Sequence, residues 1–144
     1  MTLNPYLDHV AERVLGADPV DLIVLMYEEL VKSVGEARRH LAAGEPRERA
    51  RAVSRAMAVI AELVQAVDAK ADPALAENLL RLYAFMIDRL QAAHAAQQEL
   101  PLSECERVAL TLLEGWRGIR SAQLEDAPPL LTAALGTPAI STLG

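Results

Sequence analysis

Apolar positions along this chain recur at helical spacing, and no segment alternates as a half-buried strand would. Within residues 46–70, Val53, Ala56, Met57, Ile60, Leu63, Val64 and Val67 fall on one stripe about 120° wide, close to what a bundle helix buries. Two other segments behave differently. Within 73–98, the side chains from Leu79 to Leu90 include Leu80, Leu82, Tyr83, Ala84, Met86 and Ile87 and sweep an arc of about 200°. Within 19–43, Leu22, Ile23, Val24, Met26, Tyr27, Leu30, Val31, Val34 and Leu41 spread over a similar arc of about 200°. These two helices carry more apolar surface than the neighbours in a four-helix bundle usually reach.

The boundaries are marked by an acidic or amide residue followed by proline: Asn4-Pro5, Asp18-Pro19, Glu45-Pro46 and Asp72-Pro73. Proline suits the first helical position, where its missing N–H leaves nothing unpaired, and the residue before it can cap the turn. Ser103 and Glu106 have the spacing of a capping box, and Gly16 and Gly44 stand where a left-handed exit would end a helix. These signals predict a short helix near 5–15 and longer ones near 19–43, 46–70, 73–98 and 103–125. Helices of about 25 residues are about 37 Å long, and short links force sequential neighbours to run antiparallel. The expected fold is all-α: an antiparallel up-down-up-down four-helix bundle over 18–125, with an N-terminal arm over 1–17 and a flexible tail over 126–144 that is uncharged beyond Asp126. That tail, APPLLTAALGTPAISTLG after Asp126, has three prolines and two glycines, and Leu130, Leu131 and Leu135 give it some capacity to dock on an apolar surface.

Phe85 lies opposite the apolar arc of its helix, in line with Asn78 and Arg89 and near Arg81, so it is expected to be partly exposed. The surplus arcs admit two arrangements. Either the arm and the tail cover them as deep core, or grooves beside these helices receive amphipathic helices of another chain. Leu3, Leu7, Val10 and Val14 share one face of the arm, with Tyr6 beside it. The arm therefore fits either a permanently packed helix or one that yields to a partner.

At 144 residues and 52% apolar, the chain has enough material for one domain with a sizeable core. Its opening, MTLNPYLDHV, lacks a basic region followed by an apolar run, and no segment approaches the ~18 apolar residues of a membrane span. A single cysteine, Cys105, excludes an internal disulfide and fits a reducing compartment. The expectation is a soluble cytoplasmic protein without membrane insertion. Net charge is −6, and acidic residues interleave with the basic neighbourhood of Arg38, Arg39, Arg47, Arg49, Arg51 and Arg55, which argues against nucleic acid as a partner.

Chemistry is sparse. A di-iron bundle needs two inward Glu-x-x-His pairs, and this chain has none; His9, His40 and His94 lie on different helices. Phosphate loops, nucleophile elbows and Cys-His constellations are absent. Cys105 shares an apolar stripe with Val108, Leu112, Trp116 and Ile119 and reads as a small core residue, and Trp116 as a large core filler. The pattern predicts a protein that acts by binding, with no enzyme activity and no cofactor.

Five stretches then occur in a telling order: NPY near the start, ADPVDLIVLMYEEL, RAMAVIAELVQAVD, LAENLLRLYAFMIDRLQAAH and LLEGWRGI. Together they resemble the flagellin export chaperones of the FliS family over about residues 4–120, most specifically in Asn78-Leu79 followed by Leu82-Tyr83, Phe85-Met86-Ile87 and Arg89-Leu90. The resemblance implies a cytoplasmic helical bundle that binds the disordered carboxy-terminal segment of flagellin, prevents its premature polymerisation and delivers it to the flagellar type III export gate. It also implies a set of partner-binding residues: Tyr6 in the arm, Leu22, Ile23 and Tyr27 in the first long helix, and Asn78, Phe85, Arg89 and His94 in the third. Tyr83 and Met86 match the same motif but read as core. Departures from the family pattern are Glu28-Glu29 after the first-helix aromatic, Ala84 for a frequent aspartate, and His94 for a frequent asparagine. A homodimer without client, or a helical adaptor whose apolar arcs close on copies of itself, is the other reading of the same surplus.

Overall fold

A computed structural model describes residues 19–125, which form four helices: α1 (Pro19–Ala42), α2 (Pro46–Gln65), α3 (Pro73–Ala96) and α4 (Glu99–Glu125). Among the described residues there is no strand. Tyr6, the helix expected near 5–15, the cap at Gly16 and the tail beyond Asp126 lie outside them.

Proline opens α1, α2 and α3 as the Asx-Pro and Glu-Pro signals predict. The caps differ in detail. Asp72 is a true side-chain cap, its Oδ1 accepting from the Leu75 N–H at 3.1 Å, whereas Glu45 makes no side-chain cap and its carboxylate instead meets His40 Nδ1 at 2.8 Å. Gly44 takes φ +71° and closes α1, with the Glu45 N–H reaching back to the His40 carbonyl at 2.9 Å.

Two boundaries differ from expectation. α2 ends at Gln65, not near residue 70, because Asp68 Oδ1 accepts from the Lys70 and Ala71 N–H groups and turns the chain before α3. α4 begins at Glu99 and so includes Pro101, which is tolerated in the first turn, where N–H groups have no helical acceptor. Ser103 is therefore inside the helix and not its cap; its hydroxyl donates to the Leu100 carbonyl. The link before α4 is very short because Gln97 adopts a left-handed conformation, φ 55°.

The helices run up-down-up-down around one core. α1 packs extensively on α2 and α4, α3 packs on α4, and α2 and α3 share the smallest lateral interface. Fully buried Ala37, Ala52 and Ala56 suit the close approach of α1 to α2. Ion pairs tie the lateral neighbours: Arg55 to Glu36 at 2.8 Å between α2 and α1, Arg117 to Glu28 at 2.8 Å between α4 and α1, and Arg89 to Glu104 at 3.3 Å between α3 and α4. Arg38 pairs with both Glu99 and Glu106. The arginine-rich neighbourhood is thus partly neutralised from within the bundle.

Candidate functional site: an apolar cavity at one end of the bundle

α2 and α3 share the smallest lateral interface, and the core is open at the end where the 66–72 link joins them. The opening is a cavity of about 610 Å³ between the first turns of α1, the last turn of α2 and the first turns of α3. Met26, Leu63 and Leu79 reach it from the core, Leu22, Ile23 and Trp116 stand partly exposed at its walls, and Leu75 is exposed at its lip. Glu62, Asp68 and Asp72 supply its charge, and no lysine or arginine lines it. Two of those carboxylates are engaged in shaping the link, Asp68 in its turn and Asp72 in the α3 cap. Such a site can take apolar side chains of extended or helical peptide; it offers no arrangement for bond-making chemistry. Among the described residues no group of His, Cys, Asp or Glu could hold a metal.

The expected partner-binding residues divide into three sets. Leu22 and Ile23 line the cavity. Asn78, Phe85 and His94 are exposed on α3, His94 on the opposite side of the helix from Phe85, and Arg89 is half-buried beside Phe85, its guanidinium 5.8 Å from the ring centre while paired with Asp88 at 2.6 Å and with Glu104. Tyr27 does not belong with either set. It is wholly buried, its hydroxyl 2.5 Å from that of Tyr83. The reason is geometric: Tyr27 faces the bundle axis one turn inside Ile23, so its ring fills the core and its hydroxyl meets that of Tyr83, with the Trp116 indole also beside it. Tyr83 and Met86 are core, as their pattern implies.

Burial pushes both phenols above the ordinary tyrosine range; for Tyr27 the neighbouring Tyr83 adds to the rise, and the Trp116 indole pulls in the opposite direction. Cys105 is fully buried, and desolvation with some help from Glu106 pushes its thiol up to about 12. It stays protonated at neutral pH and behaves as a small apolar residue. Trp116, expected as core filler, instead packs against the core with one side and lines the cavity with the other. Nothing in its helical stripe distinguishes that position from Leu113, one turn away and buried.

Comparison with known proteins places this architecture. The profile of the family described as Flagellar protein FliS matches residues 2–123. The chain belongs to the FliS family. It is 30% identical over 110 residues to the flagellar secretion chaperone FliSB of Pseudomonas aeruginosa (strain PAO1), covering 76% of this chain and 87% of that protein. It is 28% identical over 111 residues to the flagellar secretion chaperone FliS of Salmonella typhimurium (strain LT2), covering 76% of this chain and 82% of that one. FliS proteins are thus named for a chaperone role in flagellar secretion, and the all-helical bundle fits a protein that works by contact alone. Within this FliS-family chain, no helix among the described residues is long and apolar enough to cross a membrane. The unusual Glu28-Glu29 pair also has a structural place: Glu28 joins α1 to Arg117 of α4, while Glu29 turns one oxygen inward without a hydrogen-bond partner.

Proposed function

We propose that this chain is a cytoplasmic export chaperone that holds the disordered carboxy-terminal segment of flagellin, keeps it from polymerising and presents it to the flagellar type III export gate. The observation that carries this reading is the apolar cavity at the open end of the α1–α3 core, with more apolar side chains exposed outside it. Val64 on α2, Leu80 and Phe85 on α3, and Leu110 and Ile119 on α4 all stand more than a third exposed.

Magnitudes support such a client. Ordering a disordered segment on binding costs about 2–5 kcal/mol of the gross interaction, and each fully buried Leu, Ile, Val or Phe returns about 1.5–3 kcal/mol. Two or three anchors in the cavity offset the ordering, and further contacts along α3 set the net affinity. Leu22 and Ile23 would receive the anchors, and Asn78, Phe85, Arg89 and His94 would hold the segment where it leaves the cavity, with Tyr6 contributing from the arm.

The test is a calorimetric titration with the carboxy-terminal flagellin segment from the same cell, with circular dichroism recorded before and after mixing. One-to-one binding with helix gained beyond the sum of the parts supports the reading. A chain that ignores flagellin and is itself a stable oligomer would mean that its apolar surface is closed by other copies.

A further inference from the structure

We propose that residues 127–144 of the same chain fill the cavity in the absence of a partner, with Leu130 and Leu131 beside Trp116. Three observations converge on this segment.

The first is position. Arg117 of α4 pairs with Glu28 of α1 at 2.8 Å in antiparallel register. Eight residues further in each direction bring Val20, which lines the cavity, level with Glu125, so α4 ends at the mouth of the opening. Trp116 lies about 13.5 Å back along the helix from Glu125, and the stretch from 126 to 131 spans up to about 20 Å when extended. Leu130 and Leu131 therefore reach the indole, and Leu135 can cross to the α3 side. Pro128 and Pro129 oppose continuation of the helix and favour an extended path.

The second is charge. The lining offers Glu62, Asp68 and Asp72 and no cation. Residues 127–144 carry no charged side chain, whereas residues 1–18, the other segment tethered nearby, carry Asp8, Glu12 and Asp18 against Arg13, a net −2. An uncharged segment enters without repulsion and without stripping water from a carboxylate. The third is composition: Leu130, Leu131, Leu135, Ile140 and Leu143 are large apolar side chains in a segment whose only polar ones are the hydroxyls of Thr132, Thr137, Ser141 and Thr142, and the cavity is a concave apolar surface within their reach.

Occupancy by this segment does not depend on the identity of the client, but its consequence rests on the flagellin reading above: the segment would compete for the anchor positions. If it occupies the cavity about nine-tenths of the time, releasing it raises the apparent client affinity about tenfold.

Trp116 is the sole tryptophan, so its emission and its quenching by acrylamide report the cavity alone. The full chain carrying Leu130→Ser, Leu131→Ser and Leu135→Ser should show a red shift and faster quenching than the parent, at equal helix content by circular dichroism and independent of protein concentration. Unchanged emission and quenching overturn the proposal. So does a shift that varies with concentration, which would place a second copy in the cavity, or one produced only by the full-chain variant Leu3→Ser/Leu7→Ser/Val10→Ser, which would place the amino-terminal residues there. Should the triple-serine variant lose helix, a spin label at Leu131→Cys in the full chain replaces it. Broadening of the Leu22, Ile23 and Leu75 methyl signals supports the proposal, and sharp signals overturn it. These readings need no flagellin, so a failed client titration leaves them standing, and they can fail while client binding succeeds.

Discussion

Tyr27 of α1 and Tyr83 of α3 meet hydroxyl to hydroxyl at 2.5 Å in the middle of the bundle. One hydroxyl donates to the other, and this bond spans the diagonal between two helices that otherwise touch little. It lets two large rings carry their polar ends into the core.

Removing one hydroxyl takes a partner from the other. Tyr27→Phe is expected to cost about 1–3 kcal/mol because it strands the buried Tyr83 hydroxyl, Tyr83→Phe less because the Trp116 indole still neighbours Tyr27, and the double Phe variant less than the sum. Urea unfolding of the four proteins measures the cycle; additive losses would show that the bond contributes nothing specific.

The same pair predicts a pH dependence. Burial holds both phenols above the ordinary value, so the folded state keeps protons that the unfolded chain releases. Their contribution is fully present below about pH 10 and is lost as pH rises from there through the folded values. Stability should therefore fall on the alkaline side, and more gently in the double Phe variant.

Phe85 is exposed and lies under Arg89. Phe85→Arg should weaken flagellin binding by about 2 kcal/mol or more with the thermal transition nearly unchanged, since it removes an aromatic anchor and adds charge beside Arg89. A variant that binds normally would exclude this face of α3 from the client site.

Arg49 is buried on the core-facing stripe of α2, its Nε has no hydrogen-bond partner, and no described carboxylate pairs with it. Arg49→Met keeps the aliphatic stem and removes the buried, unpartnered Nε, and is expected to stabilise the bundle by about 1 kcal/mol or more in denaturant unfolding. Destabilisation would indicate that the guanidinium is held by interactions worth more than its desolvation.

The two acidic residues before prolines should differ. Asp72→Ala removes a working cap and is expected to cost about 1 kcal/mol. Glu45→Ala removes only an exposed contact to His40 and should change stability by less than about 0.5 kcal/mol. Equal losses in thermal unfolding would mean that proximity to the helix start, not the capping bond, is what matters.

Helical periodicity and helix starts are local properties, and they were readable. Pro19, Pro46 and Pro73 open their helices because the backbone N–H that proline lacks has no helical acceptor there, and Phe85 is exposed because it lies opposite the stripe of Leu79, Met86 and Leu90. The end of α2 was less legible, since Val67 continues its stripe while the Asp68 side chain turns the chain. The candidate site was half legible. Leu22 and Ile23 signalled surplus apolar surface, but Met26, Leu63, Leu79 and Trp116 looked like any other core residue, and Tyr27 looked like a surface candidate only through its place in a family motif.

The sequence by itself determined four amphipathic helices, their direction and their excess of apolar side chains, because spacing along a helix decides which residues share a face. Only the tertiary structure decided which part of that excess is core and which remains open. Whether an apolar face is covered depends on the distance between helix axes. Here α1 packs extensively on α2 and α4 while α2 and α3 touch least, so Tyr27 closes on Tyr83, and Trp116, near the buried Leu113, is left facing a cavity at the 66–72 end.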